Sequence, residues 1–322
     1  MFNLPKLSSL SVSGKKVLVR ADLDISEGDT FRLKSLTETL KYLIGKGSQV
    51  VIIGHKGRPS GVDEKLSLKS LAGPIGELVG STVAFEGDGQ IVLKENLRFN
   101  PGEESNSEEF AKELSVLGDY YINEAFADSH RNHASIVGLP KLLPHAAGLH
   151  LEIEVENLGK VLESPKKPTL LIISGVKEDK LEMIKRSRDI FDKVLVGGRL
   201  PEYLGEDYSD PKVIVAKLNP DKEDITINSV EAFEKEIAEA GTIVLAGVPG
   251  KYEEPGQTLG TERIFNSVAN SSAFKVVGGG DSLAVVSKYN LSAKFDWISV
   301  GGGAMLEFLT KGTLPGIDAL LT

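Results

Sequence analysis

Short apolar runs rich in β-branched residues alternate with helix-like segments along the 322-residue chain, and this alternation is what most limits the folds open to it. The runs begin at VLVRADLD (17–24), VVIIGHKGRP (50–59), VLKENLRF (92–99) and YYINEAFADSHRNH (120–133). They resume at LLIISGVK (170–177), VLVGG (194–198), TIVLAG (242–247), KVVGGGDS (275–282) and WISVGGG (297–303). Between them lie amphipathic stretches at 35–47, 70–80, 107–118, 178–191, 229–241 and 282–291. Parallel strands need long crossovers, and helices supply them, so the pattern predicts an α/β chain built on parallel sheets. Residues 148–164 break the rhythm as one longer helix closed by PKKP (165–168). The domain junction is placed there, giving two doubly wound parallel-sheet domains, 1–150 and 151–309.

The two halves end their strands differently. Arg or His follows the apolar runs of the first half, whereas glycine follows those of the second. Guanidinium forks and imidazoles hold a compact polyanion, and glycine turns expose backbone N–H groups to phosphate. One site of each kind on one chain points to group transfer between two anions.

Composition narrows the classes further. With 41% hydrophobic and 26% charged residues the chain can bury two separate cores. It has no cysteine, which removes disulfide scaffolds and thiolate zinc sites. A net charge of −9 argues against a nucleic-acid surface. The N-terminal stretch lacks signal-peptide order and no apolar run is long enough to span a bilayer, so a cytoplasmic protein without membrane or nucleic-acid partners is expected.

Several nucleotide and catalytic motifs are missing. GGGDSL (278–283) and GGGAML (301–306) lack the last glycine of a dinucleotide-binding turn, and neither a P-loop nor a serine-hydrolase elbow is present. His130 and His133 have no partners at zinc-site spacing. The GGGDS turn itself carries two readings, a phosphate cradle with Asp281 near Mg²⁺ or simply an N-cap on a tight turn. The long Gly/Pro/Lys/Glu-rich stretch 247–260 exceeds an ordinary connection and is a candidate functional loop.

ENLRFNPGEE (95–104), EAFADSHRNHAS (124–135), GHKGRP (54–59), RADLD (20–24), VVGGGDS (276–282) and ISVGGGAMLEFL (298–309) together resemble the phosphoglycerate kinase family, and the likeness runs in the family's order from residue 12 to the C-terminus. The resemblance implies two α/β domains joined by a hinge helix, here 148–164, with the C-terminal tail 310–322 packing back on the first. It implies reversible phosphoryl transfer between ATP and the carboxylate of 3-phosphoglycerate, in glycolysis or gluconeogenesis, by a monomer that closes about its hinge. Mg²⁺ with ATP or ADP is the expected cofactor. By the same resemblance Asp22, Asp24, Arg32, His55, Arg58, Arg98 and Arg131 bind the phosphoacid, and Arg32 also steadies the transferring group. Lys177 and Lys180 match the phosphate-contacting lysines, and Glu253 the ribose-binding carboxylate. Gly279, Gly280, Asp281 and Ser282 match the turn that carries the nucleotide phosphates, with Asp281 toward the metal.

The chain departs from the family pattern in places. Asp24 stands where the family has Asn, and an ionised carboxylate there repels an anionic substrate by roughly 1–4 kcal/mol. Lys177 and Lys180 are three apart where the family spaces its lysines by four. Ala246 replaces Asn, Val300 replaces Thr and Met305 replaces Ser on the nucleotide side. The stretch 204–241, which in the family helps to enclose adenine, is short here. These departures leave two other readings open: an impaired paralogue that binds a phosphometabolite as a sensor or partner-binding protein, and a kinase for another small carboxylate.

Overall fold

The computed structural model describes residues 3–25, 31–176, 178–205, 208–254 and 256–322. Lys177 lies outside the described residues. The chain divides into two compact units, Met1–Glu156 with Thr313–Thr322, and Asn157–Gly312.

The first unit is a six-stranded, all-parallel sheet of β1 (Lys16–Arg20), β2 (Gln49–Ile53), β3 (Val83–Phe85), β4 (Ile91–Leu93), β5 (Tyr120–Asn123) and β6 (His145–Ala147). Its order is β3-β4-β2-β1-β5-β6, so β1 is central and the chain moves outward first to one side and then to the other. β1 and β2 are buried at every position but their first, as expected of strands covered on both faces. Helices Thr37–Gly45 and Ala72–Val79 turn Leu40, Leu43 and Ile75 into one core with Val17, Val19, Val50 and Ile52. Helix Glu108–Ser115 begins where Ser107 accepts a hydrogen bond from the Phe110 N–H, the usual use of serine at a helix start. The C-terminal helix Pro315–Leu320 belongs to this unit: Gly316 N–H donates to the Ser129 carbonyl (2.8 Å), and Ala319 packs with Ala125, Ile136 and Val137.

The second unit is also six-stranded and parallel, with β7 (Thr169–Gly175), β8 (Lys193–Gly198), β9 (Val213–Val215), β10 (Thr242–Ala246), β11 (Phe274–Gly278) and β12 (Trp297–Ser299). The order is β12-β11-β10-β7-β8-β9. Helices Ile227–Glu239 and Leu259–Asn270 place Phe233, Ile237, Ile264 and Phe265 against β7 and β10 residues Leu170, Ile172, Ile243 and Leu245. Both sheets therefore reverse direction next to their first strand, between β1 and β5 and between β7 and β10. Such switch points leave a crevice at the carboxyl ends of the strands.

Two predicted helices differ in detail. Within the 35–47 segment the helix is Thr37–Gly45, preceded by a separate short helix Phe31–Ser35, and 178–191 resolves into a 3₁₀ turn, Glu178–Lys180, followed by helix Leu181–Ser187. Among the described residues no helix is long and apolar enough to cross a membrane.

Candidate active site

In the first unit the carboxyl ends of β1, β2 and β5 bring together residues that are far apart in sequence. Asp22 and Asp24 follow β1, His55 follows β2, and Asp128 and Arg131 follow β5. Arg32 lies on helix Phe31–Ser35; its Nε approaches Asp22 Oδ2 at 3.4 Å and its Nη1 donates to the Asp24 carbonyl at 2.6 Å. Arg98 sits on the 3₁₀ turn Leu97–Phe99, with Nη1 donating to the Gly57 carbonyl (2.6 Å) and Nε beside Glu104 (2.9 Å). Arg131 Nε lies 3.5 Å from Asp128 Oδ1. Asp24 Oδ1 accepts from the Gly57 N–H at 2.8 Å, which ties the β1 loop to the β2 loop. Arg58 is exposed and makes no ion pair or hydrogen bond with the described residues.

Sequence reasoning passed over the residues behind this cluster. Arg20, the last residue of β1, is wholly buried and reaches Ser135 (Nε to Oγ, 2.8 Å), His55 (Nη2 to Nδ1, 2.9 Å) and Asp128 (Nη2 to Oδ2, 3.1 Å). Glu103 in turn accepts from the Ser135 N–H (3.0 Å) and hydroxyl (2.6 Å). Both Arg20 and Asp128 stand inside the quoted RADLD and EAFADSH motifs, so the signal was present but looked like strand-end decoration.

Burial governs the charges here. It pushes the Asp22 carboxyl up to about 7, helped by the neighbouring Asp128 and opposed by Arg32 and Arg20. It pushes His55 down to about 4. Asp128 is the exception: burial works against its ionisation, yet the surrounding His55, Arg20 and Arg131 outweigh this and hold it below the usual carboxylate range. Several buried polar atoms in this cluster have no hydrogen-bond partner among the described residues, among them Arg98 Nη2, His55 Nε2 and Asp22 Oδ2. Native proteins rarely leave such atoms unsatisfied away from a ligand site.

In the second unit a cavity of about 270 Å³ lies at the carboxyl ends of β10 and β11. It is lined by Ala246, Gly247, Gly278 through Ser282, Gly302, Gly303, Lys180, Met183 and Leu306. Helix Gly280–Lys288 opens on this cavity, so its first backbone N–H groups and the positive end of its dipole face the space. Gly279 has a φ of +103°, and a side chain on Gly302 would lie 2.4 Å from Gly279 Cα; the two glycine turns touch backbone to backbone. Ser282 is buried and its hydroxyl accepts from the Gly247 N–H at 2.8 Å, making it a strut between turns. Asp281 is exposed at the cavity, and Lys180 reaches across the glycines to donate Nζ to the Ser174 carbonyl at 2.5 Å.

Other expected residues fall elsewhere. Glu253 is exposed and is not among the cavity's lining residues. Met305 is fully buried, with its sulfur 2.8 Å from where a Gly278 side chain would begin, so it packs under the turn. Among the described residues no cluster of three or more His, Asp or Glu side chains suits a metal ion. A magnesium ion that arrives on phosphate oxygens needs only one protein carboxylate, and Asp281 fits that requirement.

The chain matches the family described as phosphoglycerate kinase over residues 7–205 and 208–312. It is 34% identical to the phosphoglycerate kinase of Dictyoglomus turgidum, covering 96% of each chain, and 34% identical to that of Finegoldia magna, covering 99% of each. The first alignment runs over 380 positions, more than the 322 residues of this chain, so that relative carries segments with no counterpart here. A solved phosphoglycerate kinase structure from Pyrococcus horikoshii superposes with a TM-score of 0.84 at 28% identity, covering 100% of this chain and 98% of that one. One from Coxiella burnetii gives 0.81 at 28% identity, covering 98% of both. With the family matched along nearly the whole sequence and its solved members superposing on the fold, the chain belongs to the phosphoglycerate kinase family.

Proposed function

We propose that the chain is a working phosphoglycerate kinase in which the first unit binds 3-phosphoglycerate and the second binds ATP or ADP with Mg²⁺. The observation that carries this reading is the buried cluster in the first unit whose donors, Arg98 Nη2 and His55 Nε2, have no hydrogen-bond partner among the described residues. A phosphorylated acid supplies the missing acceptors. Arg32, Arg98 and Arg131, with the exposed Arg58, offer the forked donors that such an anion needs. Asp22 accepts from the substrate hydroxyl.

On the nucleotide side the glycine turns and the start of helix Gly280–Lys288 cradle phosphate oxygens. Asp281 would hold a magnesium ion, which when bound would supply positive charge at the phosphate chain. Lys180 steadies the group in flight, with Lys177 as its companion, and Glu253 holds the ribose.

Transfer forms a bond from a carboxylate oxygen of the acceptor to the γ-phosphorus and breaks the bond from that phosphorus to the oxygen bridging to ADP. The acceptor carboxylate is already ionised at neutral pH, so no general base is needed. The protein contributes orientation and positive charge at the equatorial oxygens, the terms that dominate phosphoryl transfer.

A coupled assay with ATP and 3-phosphoglycerate tests the reading. Turnover well above that of a Lys177→Ala/Lys180→Ala double variant is expected, and wild-type turnover no higher than the variant's would sink it. Lys180→Ala alone should lower kcat about 10²-fold while leaving the KM for 3-phosphoglycerate near its starting value.

A further inference from the structure

The groups behind His55 decide which of its nitrogens carries a proton. His55 is fully buried, and its two ring nitrogens face different surroundings. Nδ1 lies 2.9 Å from Nη2 of Arg20. Nε2 has no hydrogen-bond partner among the described residues, and Asp24 Oδ2 stands 3.9 Å away. A guanidinium can only donate, so the ring nitrogen that meets it has to accept. In a neutral imidazole the proton then sits on Nε2.

We propose that Arg20 is a positioning residue that locks His55 as the neutral Nε2–H tautomer, so that His55 meets the acidic substrate as a directed hydrogen-bond donor and not as an imidazolium. This rests on the reading of the cluster as the acceptor site.

The competing arrangement would place the proton on Nδ1, facing Asp128 Oδ2. That separation is 3.5 Å, too long for a good hydrogen bond, and the same carboxylate oxygen lies 3.1 Å from Arg20 Nη2. Nη2 thus gives its hydrogen bond to the imidazole and pairs with the carboxylate by charge alone. Arg20 has little freedom to do otherwise: Nε is held by Ser135 Oγ at 2.8 Å, Nη1 donates to the Ala21 carbonyl, and Ser135 is itself held by Glu103.

The charged and titratable groups that face His55 are Arg20, Arg98, Asp128 and Asp24, with the His133 ring at 6.5 Å between centroids. Burial is the largest influence and lowers the His55 pKa to about 4; Arg20 and Arg98 lower it too, against Asp128 and Asp24. The imidazole is thus neutral throughout the physiological range, and its donor does not depend on protonation.

Two measurements test this on the full-length protein. The first is long-range ¹H–¹⁵N spectroscopy of the histidine rings in ligand-free enzyme, with the His55 signals assigned by their loss in His55→Gln. The expected result is an Nε2–H pattern unchanged from about pH 5.5 to about pH 8. An Nδ1–H pattern, or a titration midpoint inside that window, overturns the proposal. Because no ligand is present, this result is independent of whether 3-phosphoglycerate is the substrate. In Arg20→Gln, whose amide oxygen can accept where the guanidinium could only donate, an Nδ1–H population should appear; an unchanged Nε2–H pattern in the folded variant counts against Arg20 as the cause.

The second measurement compares the pH profile of KM for 3-phosphoglycerate in the wild type and in His55→Gln, whose amide donates without titrating. Parallel profiles are expected. A wild-type KM that improves relative to the variant as the pH drops below about 6.5 would mean that the imidazolium is the binding form, and the proposal fails.

Discussion

The candidate anion sites of the two units are built on the same sheet architecture and from opposite materials. In the first unit the site is made of side chains, and nearly every cation in it leans on a carboxylate: Arg20 on Asp128, Arg32 on Asp22, Arg98 on Glu104 and Arg131 on Asp128. In the second unit the lining is mostly backbone, with glycine turns, one lysine and one aspartate. The difference teaches how each kind of site is held ready. Buried cations repel one another and lose hydration, so they need compensating carboxylates that hold them in place until an anion arrives. Backbone N–H groups at a helix start carry only partial charge and need no such compensation. What they need is room, which is why glycines 279 and 302 touch backbone to backbone.

Five experiments would break or sharpen this contrast. The largest effect is expected on the side-chain site: Arg32→Ala should lower kcat by about 10³-fold, measured in the coupled assay, because a guanidinium that meets the transferring phosphoryl group is worth that much. A loss smaller than about tenfold would remove Arg32 from the reacting group. For the backbone site, Gly302→Ala places a methyl 2.4 Å from Gly279 Cα and 2.7 Å from its nitrogen, where nothing flexible can yield. Calorimetry with MgADP should show affinity reduced by about tenfold or more, with 3-phosphoglycerate binding retained. If nucleotide binding survives unchanged, the cavity is not the nucleotide site.

Asp24→Asn removes a half-exposed carboxylate beside the acceptor donors. It should tighten 3-phosphoglycerate by about fivefold, equivalent to about 1 kcal/mol for a screened charge. No gain would favour a different acceptor acid. The smallest effect is a proton count. The Asp22 pKa of about 7 rises further when an anion binds beside it, so binding near pH 7 takes up a fraction of a proton, and the uptake vanishes in Asp22→Asn. Calorimetry in buffers of different ionisation enthalpy reads this directly. The same shift has a stability consequence. Between the ordinary value of 3.8 and about 7 the folded state binds a proton that the unfolded state lacks, so Asp22 weakens the fold as pH rises through that window. Denaturant titrations of wild type and Asp22→Asn should therefore diverge between about pH 4 and about pH 7 and run parallel outside it.

Much of the fold was legible from pattern alone. β1, β2, β7 and β10 are continuous apolar runs flanked by amphipathic helices, and such runs have no stable place except inside a parallel sheet. The short edge strands β3, β6 and β9 were not legible, since three residues carry too little periodicity and their pairing is decided by neighbours. The candidate sites divide in the same way. Glycine runs after strands announce themselves, because few other needs put three glycines in a row. A buried ion-pair network does not: the partners of Arg20 are 35 to 115 residues away along the chain.

The sequence by itself determined the class of fold and the family and pointed to the two kinds of candidate anion site, because hydrophobic period and local turn chemistry act over a few residues at a time. Only the tertiary structure decided that Arg20 and Asp128 stand behind His55, that Ser282 braces a neighbouring turn, and that Glu253 lies off the glycine-lined cavity. Those facts depend on which strand ends meet at each switch point of the sheet, and burial at that meeting place, not residue type, sets the charge of Asp22 and His55.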